Sequence, residues 1–238
     1  MALRRPSLPP MTTWVMLLIP FAVAYPWIVD YAIARYGVRA VALTALLMGG
    51  VNLLSSWRRA RRSDHPKLVL AAELCAISLA ACAAALPARW PLMLVPGVIQ
   101  LFLAVIFWQS LSLERSMFER VARMIEPHAP DWIAGYCRRA TACWSAFFLL
   151  NAAVVLGLAI FGSEESWTRY AGGGLYLAAF AMHGVETVVR KIWFRHYGAS
   201  PIDYIIRPLF PPEKTERGRR SMAYIRDMRQ RLGMEMPP

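Results

Sequence analysis

The sequence predicts an all-α, polytopic membrane protein of about six transmembrane helices, with a cytoplasmic interfacial helix and a basic C-terminal tail. Three observations carry this. Of the 238 residues 57% are hydrophobic and only 18% are charged, against about 25% charged in soluble domains. The apolar residues are concentrated in runs of about twenty, the length that crosses a bilayer core. The basic residues are segregated between the loops that join those runs.

Residues 1–13 read as a short cytoplasmic N-terminus holding Arg4 and Arg5. The first span covers 14–34, with Pro20 and Pro26 expected to bend it. Ala22, Val23 and Ala24 imitate a signal-peptidase site, but hydrophobicity continues past them, so an uncleaved helix is expected. The second span, 38–57, ends at the basic cluster Arg58, Arg59, Arg61 and Arg62. Ser63 or Asp64 can cap the third span, 67–86, with Pro66 in its first turn. In that span Ala72, Ala76, Ala80 and Ala84 form an i,i+4 row, a close-packing face in lipid. The fourth span, 90–111, is interrupted at Pro96 and Gly97.

Residues 113–126 place Leu113, Met117, Val121 and Met124 on one helical face beside Phe118 and Ile125. Arg115, Glu119, Arg120 and Arg123 then point away from it. Such a helix suits a membrane interface or an amphipathic connector, and Pro127 should end it. The fifth span, 140–161, carries Trp144, Phe147, Phe148 and Asn151. The sixth, 167–189, opens on Gly172, Gly173 and Gly174, which permit close helix approach or local unwinding. The tail, 190–238, is broken by Pro201, Pro208, Pro211 and Pro212, with a last helix expected from Glu216 to Leu232. Met222, Ile225 and Met228 give that helix a modest amphipathic face.

Orientation follows from charge. With the N-terminus inside, 23 of the 27 Lys and Arg are cytoplasmic, and only Arg35, Arg39, Arg89 and Arg169 lie outside. That asymmetry predicts a bacterial inner (cytoplasmic) membrane protein with both termini cytoplasmic. The same placement accounts for the net charge of +12 without nucleic acid as a partner. Cys75, Cys82, Cys137 and Cys143 lack Cys-x-x-Cys spacing, so neither a disulfide framework nor a metal site is indicated. No nucleophile elbow, zinc-binding helix, phosphate loop or dinucleotide fingerprint occurs, so no catalytic residues and no cofactor are assigned.

Polar groups inside spans are costly, and each is a candidate site. Glu73, about two turns inside its helix, reads as a proton or ion relay, or as a structural ion pair or protonated carboxyl. His183 and Glu186 at i,i+3, and Glu186 and Arg190 at i,i+4, line one face. They could shuttle protons or bind substrate, or form an interfacial salt bridge. Asn151 reads mainly as a helix-joining residue. Arg120, Arg123, Arg138 and Arg139 form the basic face that would meet acidic partners.

The run Glu119-Arg120-Val121-Ala122-Arg123, with Glu126-Pro127, Pro130, Arg138-Arg139, Thr141, Trp144, Phe147-Phe148 and Asn151, and later Trp167, Tyr176, Glu186 and Arg190, resembles a family of bacterial inner-membrane proteins. They are encoded beside fatty-acid-synthase-like genes for aryl polyene (xanthomonadin-type) pigments. The aromatic and Asn pattern of the fifth span is also distantly similar to the intracellular septation protein A family. The resemblance implies a role in making, handling or exporting a lipid-like polyene, and brings over no catalytic residues. Membrane lipids, acyl carrier protein and other envelope-biosynthesis proteins are the partners it implies. A structural protein of the envelope or division machinery is the alternative, and an intramembrane enzyme using Glu73, His183 or Glu186 the third reading.

Overall fold

The computed structural model describes residues 10–60, 66–86, 88–126, 129–195, 197 and 200–231. It is helical throughout, with no strand among those residues. The expected contributions of Arg4, Arg5, Arg61, Arg62, Ser63, Asp64, Pro127 and Leu232 lie outside them. Among the described residues three helical stretches are long and apolar enough to cross a membrane: Trp27–Leu53, Trp90–Ser110 and Asp131–Phe161.

The chain forms two compact units, Met1–Tyr176 and Leu177–Pro238. In the first, α1 (Pro10–Ala60) continues through Pro20 and Pro26 and departs from helical dihedrals at Gly37, with φ 82° and ψ 158°. This backbone conformation is open to Gly and costly for residues with a Cβ. It falls between the first two expected spans and divides α1 into two arms. The second arm packs along α2 (Pro66–Ala85), where Gly49 lets Ile77 approach to within 3.0 Å of where a Cβ would stand. Ile33, Ala42, Ala83 and Leu92 are buried together, joining both arms to α2 and to α3 (Trp90–Ser110). Small residues let helices approach closely where lipid supplies no hydrophobic driving force for association.

α3 and α5 (Ala134–Phe161) make the most extensive helix pair. Gly97 is buried beneath Val155 and Leu156, whose atoms would lie 3.3 and 2.7 Å from an added Cβ. The Ser145 hydroxyl donates to the Ala104 carbonyl across the pair at 2.8 Å. A 3₁₀ turn at Asp131–Ile133 runs directly into α5, which starts at Ala134, six residues before the expected 140.

The expected interfacial helix is shorter than 113–126: α4 spans Met117–Ile125, and Leu113 lies in the turn before it. The expected span at 167–189 is composite. It comprises α6 (Glu164–Arg169), a π-helical turn at Tyr170–Gly174 and α7 (Leu175–Phe194). The widened turn coincides with the three glycines. Gly172 sits against the Trp27 ring, 2.6 Å from the position of an added Cβ, so a side chain there would displace the indole.

The second unit is helical over most of its described residues. The remainder of α7 is followed by α8 (Pro201–Leu209), a 3₁₀ turn at Pro212–Lys214 and α9 (Glu216–Arg231). A closed capping box starts α8, with Ser200 and Asp203 bonding each other's backbone and so satisfying orphan amides of the first turn. The Arg217 guanidinium stacks over the Trp193 ring at 4.1 Å, joining the start of α9 to the end of α7.

Candidate functional site

The residues singled out from sequence meet most densely where α3, α4 and α5 join. α4 has nine residues, too few to be stable alone in water, and its N-cap Ser116 makes no side-chain capping bond. Its first amides are capped by its neighbours instead. Met117 N–H donates to the Ser110 hydroxyl of α3 at 3.1 Å, and Phe118 N–H donates to the Thr141 hydroxyl of α5 at 3.2 Å. Each hydroxyl also donates within its own helix, Ser110 to Phe107 O and Thr141 to Cys137 O.

Around these bonds the aromatic residues interlock. Phe107 of α3 meets Phe118 of α4 and Phe148 of α5 edge-on, with centroids 6.2 and 5.1 Å apart. Trp144 contacts Phe118, Phe147 and Phe148. Such ring pairs each contribute ~0.5–1.5 kcal/mol beyond their buried area.

Glu119 and Arg123, on the polar side of α4, face inward. Glu119 is buried, its side chain 5% exposed, and pairs with Arg123 at 3.1 Å. Arg123, 15% exposed, also donates to Asp131 at 2.7 Å and to the Ala129 carbonyl at 2.8 Å. These acceptors, Asp131 foremost and then Glu119, raise the Arg123 guanidinium above its ordinary range and keep it charged. Glu119 Oε2 and Ser116 Oγ are buried without a partner among the described residues. The apolar Val121, Met124 and Ile125 point outward, Ile125 being 81% exposed. A helix that buries an ion pair and exposes its hydrocarbon side suits apolar surroundings rather than water.

Arginines expected to meet acidic partners are bound to the protein itself. Arg123 holds the network just described. Arg138 donates to the carbonyls of Leu111, Leu113 and Glu114, which follow the end of α3. Arg120 Nε reaches the Arg115 carbonyl at 3.1 Å, and Arg139 is exposed at the start of α5.

Asn151 is buried and bonded on both sides. Its amide donates to Phe147 O at 2.8 Å and its oxygen accepts from the Tyr170 hydroxyl at 2.7 Å. It thereby ties α5 to the π-helical turn. Glu73 accepts from the Asn52 amide at 2.8 Å, linking α2 to the second arm of α1. In the second unit Glu186 is buried with Arg190 at 3.7 Å, and His183 is exposed. Among the described residues no group of three or more His, Cys, Asp or Glu is placed to hold a metal.

Two features escaped the sequence. Arg89 bridges Asp30 at 3.1 Å and Glu164 at 2.8 Å, and Trp167 donates to the Met93 carbonyl at 3.0 Å beside it. A join across 59 and 75 positions leaves no local signature. The second is a groove between α2 and α3, lined by Ala76 and Leu79 on one side and Val98, Ile99, Phe102 and Ile106 on the other. Its volume is about 140 Å³, smaller than the ~300–1,000 Å³ of drug-sized ligand clefts and suited to a short stretch of chain. Every side chain lining it is apolar, so it can take a hydrocarbon chain and offers nothing to a polar headgroup.

No family model matches this chain, and neither a curated protein nor a solved structure matches it.

Proposed function

We propose that this chain is a six-span inner-membrane protein, both termini cytoplasmic, that accompanies or transports an acylated, lipid-like product of the aryl polyene type. The observation that carries the reading is the hydrocarbon groove between α2 and α3. In a bilayer the competing occupant is a lipid tail, equally apolar, so affinity for a particular chain must come from shape complementarity rather than from the hydrophobic effect. A rigid polyene loses less conformational freedom than a saturated tail on entering a fixed groove, and preorganisation favours it. α4 would lie in the interfacial layer with Met124 and Ile125 toward the acyl chains. Arg139, with Arg115 exposed before α4, would meet an acyl carrier protein or anionic lipid, at about 1 kcal/mol per basic residue near the surface.

The test compares lipid and pigment extracts by mass spectrometry from cells lacking the gene, cells restored with the intact gene, and cells restored with Ala76→Phe, which fills the groove. A missing or accumulating acyl or polyene species in the deletion and in Ala76→Phe supports the reading. Unchanged extracts with altered cell shape would support a structural protein of the envelope or division machinery. The two-sided bonding of Asn151 favours that second reading, because it serves helix association. Loss of product on replacing Glu73, His183 and Glu186 together, with the groove intact, would favour an enzyme.

A further inference from the structure

The tail following α7 is basic, with eleven Lys and Arg against five Asp and Glu over residues 190–238, and would be expected to stand in water. α8 is built the other way round. Its acidic residue, Asp203, is turned inward, where it accepts a hydrogen bond from Lys191 of α7 at 2.5 Å and from the Ser200 hydroxyl at 2.8 Å. Its outward side carries Tyr204, Ile205 and Leu209, which are 74%, 68% and 69% exposed. A soluble helix would bury these three and show Asp203 to solvent.

Three observations within this unit identify what covers that side. α7 exposes Leu177, Phe180, Val185 and Val189, so the helix that leads into α8 also presents hydrocarbon outward. Arg207 stands exposed on α8, among side chains that suit the boundary between acyl chains and phosphates. The surrounding tail is strongly cationic, matching an anionic lipid surface rather than a neutral protein partner. α4 shows the same inside-out construction, with Glu119 and Arg123 inward and Met124 and Ile125 outward.

We propose that α8 is a membrane-surface helix. It is embedded to the depth of Tyr204, Ile205 and Leu209 in the interfacial layer of an anionic phospholipid bilayer, and it makes the C-terminal unit a membrane-bound module. The inference rests on the chain being a membrane protein, and on none of the proposed chemistry.

The test uses the full chain, with its cysteines replaced by Ser or Ala and a single cysteine placed at Ile205 or, as the control, at Gln230 on α9. The cysteine carries an environment-sensitive fluorophore. The protein is reconstituted in nanodiscs of mixed zwitterionic and anionic phospholipid. Lipids bearing a nitroxide on the acyl chain should quench the Ile205 probe severalfold more than the Gln230 probe, and aqueous iodide should do the reverse. Equal iodide access at the two positions overturns the proposal. Protection of Ile205 from both quenchers also overturns it, because a protein surface then covers α8. The embedding of the whole chain is scored separately, by co-flotation with vesicles of the same lipids in alkaline carbonate. Failure to float would overturn the membrane reading itself, whereas flotation with an iodide-accessible Ile205 would overturn the seating of α8 alone.

Discussion

Arg123→Ala should be the most damaging single charge removal in the α3–α4–α5 junction. The pair with Asp131 contributes little, because Asp131 is fully exposed and solvent-screened pairs contribute ~0–1 kcal/mol. The Ala129 carbonyl, buried and accepting at 2.8 Å, adds about 1 kcal/mol. The larger cost is Glu119, whose side chain is 5% exposed. Breaking a buried pair by removing one partner costs ~3–5 kcal/mol. Replacing both partners by apolar residues is far milder, so Arg123→Ala combined with Glu119→Leu should recover about 2 kcal/mol of the loss. Cys137 reports the opening. It is buried one turn before Thr141, the residue that caps α4, and the exposed Cys143 and the other two cysteines can be replaced by Ser or Ala. At 1.4 kcal/mol per tenfold, the double variant should label about 30-fold more slowly at Cys137 than Arg123→Ala. If adding Glu119→Leu leaves the labelling rate unchanged or faster, the stranded carboxylate is not the cause and the reasoning fails.

Asn151→Ala and Tyr170→Phe should each destabilise the detergent-solubilised protein, with a coupling of ~0.6–1.7 kcal/mol in a double-mutant cycle. Strict additivity would show that the 2.7 Å bond between them carries no energy. Gly97→Ala should cost ~1–3 kcal/mol through overpacking against Leu156, read as a lowered thermal midpoint; Gly50→Ala, which meets nothing, should be close to neutral. In the second unit, burial raises the Tyr197 hydroxyl above its ordinary value, Arg195 partly opposing this, and it donates to the Phe210 carbonyl at 2.7 Å. A raised acid binds its proton more tightly when folded, so its contribution is full below pH ~10 and is lost as pH rises through the folded value. Hydrogen exchange across α8 should accelerate in that alkaline range, and Tyr197→Phe should remove that component of the pH dependence.

The all-helical, membrane-type character was legible because composition, run length and charge segregation act along the whole chain. Two helix ends fall within one residue of the expected limits. α3 ends at Ser110 where 111 was expected, and α2 begins at Pro66 where 67 was. What depends on pairs distant in sequence was not legible. The periodicity of 113–126 separates an apolar face from the charges and suits a membrane interface or an amphipathic connector. Which face meets the rest of the bundle was not legible, and it is Glu119 and Arg123 that turn inward. Arg89 read as an outer-loop charge, since neither Asp30 nor Glu164 lies near it in sequence. α8 was hidden by Pro201 and Pro208, which read as breaks; Pro201 opens the helix at a position that tolerates the missing amide hydrogen. Asn151 read mainly as a helix-joining residue, and its bond to the Tyr170 hydroxyl left no local signature.

The borrowed caps of α4 have a consequence for biogenesis. Because its own Ser116 makes no capping bond and its first amides rely on Ser110 and Thr141, α4 gains its full set of bonds only after the two long helices have docked. Ser110 emerges from the ribosome before α4 and Thr141 after it, so the segment must wait through synthesis of α5. Until α5 is made, residues 117–125 therefore lack one of the two partners that cap their first amides in the finished bundle.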